Sequence, residues 1–348
     1  MEIVKYPIII LGAGASFDYI PSIHCTKSEN WRPPLTSGLF NEKRFETISD
    51  QFPEIAGVVT DSSITVNKEN IEEFLTQVRE KALNGNRERS KQLVSLYFYL
   101  QKLFLEITNN FGGQRTNNYK KLVNQIIDNN SIHPKACIIN FNYDCLLEEN
   151  IPGLNRKEID SYINNSIQVI KVHGSCDWVN EIRDGLFPED MEEYDYNIYK
   201  YSLDYPGIIF KEFSDKDIFS STEYRKNFWW EPGKKNVYKY GVPAIAIPIS
   251  QKDKFVCPFT HIQTMEKSLQ QANKILIIGW RGGDNNLIEI MKKYSDTPKE
   301  VVLVLGDLKS AEEAKENLKN IDNLNFRMVD TTFTDFFNTE ECKLFFES

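Results

Sequence analysis

The sequence has no C-x-x-C pair. Its six cysteines, Cys25, Cys137, Cys145, Cys176, Cys257 and Cys342, are scattered over 348 residues. That spacing excludes a zinc ribbon and a dense disulfide framework, and fits reduced thiols in a cytosolic protein. Histidine, cysteine and acidic residues nowhere cluster at metal-ligand spacing, so no metal is expected. No apolar run approaches the roughly 18 residues of a membrane span. The opening "MEIVKYPIII" lacks the basic segment and cleavable apolar stretch of a signal peptide. A cytoplasmic protein without membrane contact is expected. Positive charge is in deficit, 41 Lys and Arg against 50 Asp and Glu, for a formal net charge of -9. This argues against direct nucleic-acid binding driven by charge. The P-loop pattern G-x-x-x-x-G-K-[ST] is absent, which disfavours a phosphotransferase or nucleotide hydrolase of that type.

What is present alternates between strands and helices. "PIIILG" (7–12) reads as a buried strand closed by glycine. In "NIEEFLTQVREKAL", Asn70 can cap a helix and Glu73 stands where a capping-box acid would. A longer helix is predicted over about 88–110 and is stopped by Gly112 and Gly113. "NNYKKLVNQIIDNN" puts Tyr119, Leu122, Val123, Ile126 and Ile127 on one helical face. Apolar runs then follow at 135–144, 167–175, 274–280 and 300–307, with a weaker strand at 325–330. The expectation is an α/β fold: a Rossmann-like, mostly parallel sheet with helices on both faces. A small helical subdomain is expected at about 67–132. An aromatic-rich insertion with Trp229 and Trp230 is expected at about 185–243. Its aromatics suit either its own core or an assembly surface.

In parallel α/β sheets, ligands bind beyond the carboxyl ends of the strands. Four polar clusters stand at such predicted ends: "GAGAS" (12–16), "NYD" (142–144), "HGS" (173–175) and Gly279 through Asp284. Gly12 and Gly14 permit close backbone approach to a phosphate and equally suit a tight surface turn. The third glycine of a G-x-G-x-x-G fingerprint would fall on Phe17, and no acidic residue closes a second strand about 20 residues on. Hydride transfer is therefore disfavoured. Asn142 and Asp144 suit turns and caps as well as a site. His24 and His133 read as loop residues, and His261 is undetermined. His173, between a β-branched strand and a glycine, is the candidate base.

Taken in order, "GAGAS", "FNYD" (141–144) and "VHGS" (172–175) resemble the motifs of the sirtuin-like family. "PPLTSGLF" (33–40), "NIEEFL" (70–75), "SCDW" (175–178) and "IIGWRGGDN" (277–285) resemble its branch of bacterial sirtuin-like NADases of antiphage defence. The resemblance covers residues 7 to about 290. It departs from the protein-deacylating sirtuins, which resemble one another in a four-cysteine zinc module that this chain lacks. Tyr19 also stands where a glycine often precedes the aliphatic-Pro pair, here Ile20-Pro21.

The resemblance implies NAD as substrate and cleavage of its nicotinamide–ribose bond, yielding nicotinamide and ADP-ribose. It implies that Asn142 holds a ribose hydroxyl or water and that His173 accepts a proton. Asp144 would orient the ribose or the nicotinamide amide. Gly12, Ala13, Gly14 and Ser16 would take the diphosphate, and Gly279 and Asp284 would face the adenosine end. It further implies a homo-oligomer controlled by assembly or by a separate sensor such as a HerA-type ATPase. The alternative is a subunit that binds NAD or ADP-ribose without turnover.

Overall fold

The computed structural model describes residues 7–21, 30–40, 45–59, 71–129, 134–182, 197–210, 218–220, 240–249 and 254–347. Its strands are β1 (Ile8–Leu11), β2 (Ala136–Asn140), β3 (Ile167–Lys171), β4 (Gly174–Ile182), β5 (Ile218–Ser220), β6 (Tyr240–Ile245), β7 (Lys274–Ile278), β8 (Lys299–Val304) and β9 (Leu324–Val329). Six of them form one sheet in the order β3-β2-β1-β7-β8-β9. Every pairing in it is parallel. The chain builds outward from β1 to β3, then returns to β7 and builds the other way. This is the doubly wound order, and its switch point lies between β1 and β7.

Burial explains why these strands read as continuous apolar runs. Every residue of β1 and β2 is buried, because both faces of the sheet are covered. Ile9, Leu11 and Ile138 point into one core layer. Ile8, Ile10, Cys137, Ile139, Ile275 and Ile277 point into the other. The edge strand β9 is half exposed, which is why its pattern was the weakest.

The helices that position the site are α1 (Ala13–Phe17), α2 (Ile71–Leu83), α3 (Arg87–Phe111), α4 (Asn118–Asn129), α5 (Phe259–Gln271), α6 (Asn285–Lys293) and α7 (Leu308–Leu318). The side chain of Asn86 caps α3 by accepting from Arg89 N at 3.0 Å, and Gly112 ends that helix. The expected cap Asn70 lies outside the described residues. The segment α2–α4 shares a core with the sheet: Leu93, Leu100, Tyr119 and Leu122 pack in the same layer as Ile9 and Leu11.

A second sheet lies outside the architecture expected from the sequence. β5-β4-β6 is three-stranded and antiparallel, so the fold is mostly rather than wholly parallel. β4 escapes the period-2 pattern because eight of its nine residues, including Ser175, Asp177 and Asn180, are buried. Gln101 Nε2 on α3 donates to Trp178 O at 3.0 Å and ties that helix to this sheet. Of the expected aromatic insertion, residues 197–210, 218–220 and 240–243 are described. Trp229 and Trp230 lie outside the described residues, as do His24, His133 and Cys25. Among the described residues no helix is long and apolar enough to cross a membrane.

Candidate functional site

At the switch point, two turns touch. Gly12 N donates to Ile278 O at 2.9 Å, and Gly14 N donates to Gly279 O at 3.2 Å. A Cβ on Gly12 would overlap Gly279 O and stand 2.6 Å from Trp280 Cα; one on Gly14 would stand 2.8 Å from Gly279 Cα. Gly279 itself has a φ of +64°, and a Cβ there would lie 2.6 Å from Gly14 Cα. The glycines thus bring the β1–α1 and β7–α6 turns into backbone-to-backbone contact at the sheet's rim. Helix α1 starts from Gly12 with no side-chain cap. Ser16 turns inward: its hydroxyl is 2.8 Å from the Tyr119 hydroxyl and the residue is buried. Tyr19 is also core, packed against Phe111 and Tyr119, and burial pushes its hydroxyl up to about 12.

The loop after β2 closes over this contact. Asn142 Nδ2 donates to Gly12 O at 3.0 Å and to Tyr119 Oη at 3.2 Å, so its amide plane is fixed. Asp144 is buried, and its Oδ1 accepts from Leu146 N at 3.1 Å. Burial pushes this carboxyl above its usual range, while Lys171 and Ser16 pull it back. Lys171 is fully buried at the end of β3. Its Nζ pairs with Glu148 Oε1 at 2.8 Å and donates to the Asp144 carbonyl. Burial, the largest single influence, would lower the ammonium, but Glu148 first, then Cys145, Asp144 and Cys176, together outweigh it and hold Lys171 above its ordinary value. Glu148 is raised by burial against the pull of Lys171. The signal for this pair was a lysine inside an apolar strand, "IQVIKVHG"; the identity of its partner left no trace in the sequence.

His173 follows β3 on the same rim. Its ring meets Phe141 edge-on at 4.8 Å, and Phe141 stacks on Trp280 at 5.0 Å. Tyr143 lies 6.4 Å away, ring centre to ring centre. His173 Nε2 is 2.9 Å from Asp284 Oδ2. The other oxygen of Asp284 accepts from Leu287 N at 3.0 Å and caps α6. The four motif clusters therefore converge at one rim although they span the chain. Two residues differ in their contacts from what the resemblance implied: Ser16 bonds inward to Tyr119, and Asp284 meets His173.

Further polar residues lie beside the rim. Asp177 on β4 accepts from Arg156 Nε at 3.0 Å and from Ser175 Oγ at 2.6 Å. Although burial opposes it, Arg156, Lys171 and Ser175 hold this carboxyl below its usual range. The buried thiols of Cys145 and Cys176 stand 3.6 Å apart, sulfur to sulfur, without a disulfide. A cleft of 380 Å³ opens among Asn109, Glu148, Glu149, Arg156 and Lys157, and none of the motif residues lines it. Among the described residues no group of His, Cys, Asp and Glu is placed to hold a metal ion.

No protein-family model matches the chain, and no curated protein matches it. Solved structures do align with it. A complex of Sir2Tm with a propionylated peptide is 11% identical over 95% of this chain and 90% of its own, with a TM-score of 0.44. A Sir2–p53 peptide–NAD+ complex is 13% identical over 95% and 90%, with a TM-score of 0.40. A Sir2 homolog–NAD complex is 13% identical over 95% and 86%, with a TM-score of 0.37. Likeness at this level leaves the chemistry to be argued from the chain's own residues.

Proposed function

We propose that this protein is an NAD+ glycohydrolase that cleaves NAD+ to nicotinamide and ADP-ribose. The observation that carries the reading is the convergence at the switch point: the Gly12–Gly14 turn, the fixed amide of Asn142 and the imidazole of His173 share the rim where such sheets bind nucleotides. The chemistry asks little of an acid. The bond from ribose C1′ to the pyridinium nitrogen breaks, and its electron pair leaves with neutral nicotinamide. Water adds to the oxocarbenium-like carbon, and its proton passes to His173 and on to solvent. Asn142 holds the water or a ribose hydroxyl. The buried carboxyl of Asp144 backs the site. The backbone of Gly12, Ala13 and Gly14 faces the diphosphate, and Gly279 lies toward the adenosine end. By the motif resemblance, the protein is an NAD-depleting antiphage effector held in check by self-assembly or by a separate sensor such as a HerA-type ATPase.

Chromatography of NAD+ incubated with the protein tests this. Wild type should release nicotinamide, and Asn142→Ala and His173→Ala should each lower the rate about 100-fold or more. NAD content in cells expressing each protein should follow the same order. One observation favours a second reading, an NAD- or ADP-ribose-binding subunit without turnover: Asn142 Nδ2 already serves Gly12 and Tyr119, as a structural clasp would. NAD+ bound tightly by wild type, with no nicotinamide released in the tube or in cells, would establish that reading instead.

A further inference from the structure

We propose that Asp284 is a positioning residue for His173: its carboxylate holds the imidazole proton on Nε2 and makes Nδ1 the basic nitrogen. The kinetic part of this inference rests on the NAD-hydrolysis reading; the tautomer does not. The two carboxylate oxygens of Asp284 do different things. Oδ1 caps α6 through Leu287 N, while Oδ2 lies 2.9 Å from a ring nitrogen 111 positions away in sequence. Another aspartate cap in the molecule behaves otherwise. Asp307, at the start of α7, accepts from Ser310 N at 2.8 Å and Ser310 Oγ at 3.0 Å, so both its oxygens serve its own helix.

A cap alone does not need a carboxylate, because asparagine caps as well as aspartate. Asp284 is buried, and a buried charge is costly unless it is paired. A carboxylate accepts hydrogen bonds and cannot donate, so the nitrogen facing it must carry the proton. The surroundings of His173 suit this role. From the end of β2, Phe141 and Tyr143 present rings, and burial keeps the Tyr143 hydroxyl protonated far above its ordinary range. On its own strand, Lys171 is paired with Glu148. From α6 comes Asp284. When Nδ1 takes a proton, the carboxylate on the opposite nitrogen stabilises the imidazolium, the arrangement of a base oriented by a third group.

The experiment uses protein labelled with 15N-histidine, with the His173 signals assigned by His173→Ala. Wild type should show the proton on Nε2 and an unprotonated Nδ1. In Asp284→Asn, the amide oxygen keeps the cap and the amide N–H turns toward Nε2, so the tautomer should invert. The imidazole pKa should fall by about one unit with loss of the facing charge. Nicotinamide release should lose about 100- to 10,000-fold in kcat with little change in KM. Asp307→Asn, which alters a cap remote from any histidine contact described, should leave the His173 signals unmoved. An unprotonated Nε2 in wild type would overturn the proposal without any variant, as would an unchanged tautomer and pKa in Asp284→Asn. If wild type releases no nicotinamide, the hydrolase reading falls, and the nitrogen shifts still decide the role of Asp284.

Discussion

His261 should make the fold sensitive to mild acid, and this effect must be separated from any titration of His173. The residue is fully buried at the start of α5, between the rings of Tyr162 at 6.2 Å and Trp178 at 5.8 Å. Its Nε2 donates to Ile159 O at 3.2 Å, and its Nδ1 has no hydrogen-bond partner. Burial pushes the imidazole down from the usual 6.5 to about 4, against the smaller upward pull of the Ile159 carbonyl and Asp160. The folded protein therefore keeps His261 neutral where the unfolded chain takes up a proton. Stability from this group is fully present above 6.5 and is lost as the pH falls toward 4. At about 1.4 kcal/mol per unit, the loss is about 2 kcal/mol at pH 5 and about 3 kcal/mol near pH 4.

Urea unfolding of wild type and His261→Gln at pH 7 and pH 5 measures it. The variant keeps a side-chain donor for Ile159 O and removes the titration, so its stability should fall about 2 kcal/mol less over that interval. Asp144 and Glu148, both raised by burial, act in the opposite sense: they cost stability as pH rises through their usual values of 3.8 and 4.5. They are present in both proteins and cancel in the difference. Equal pH dependence in the two proteins, within about 0.5 kcal/mol, would refute the reasoning. With the unfolding limb moved, the pH profile of nicotinamide release by His261→Gln should, on the function proposed above, report His173.

Substitutions at Gly279 and at the Lys171–Glu148 pair probe the rim. Gly279→Ala places a Cβ 2.6 Å from Gly14 Cα at a φ of +64°. The backbone penalty and the overlap together should cost about 2–5 kcal/mol in denaturant unfolding and, on the function proposed above, weaken NAD+ binding measured by calorimetry. Lys171→Met strands the buried carboxylate of Glu148 and should cost about 3–5 kcal/mol, whereas pairing it with Glu148→Leu should recover most of that loss.

The parallel sheet is legible in the apolar runs of the chain alone. Runs such as "IIIL" and "KILII", buried on both faces and closed by glycine, admit little else, and the strand ends marked the rim where polar clusters meet. Tertiary structure decided what each polar group does there. Ser16 looked like a loop hydroxyl and bonds Tyr119 inside the core. Lys171 found Glu148, and the β5-β4-β6 sheet formed around polar residues that no alternation announced. Asp284 reached a histidine 111 positions away. Periodicity records which face of an element is apolar, because that is fixed locally by 3.6 or 2 residues per repeat. Which buried donor meets which acceptor depends on the distance between elements, and only the packed chain sets that distance.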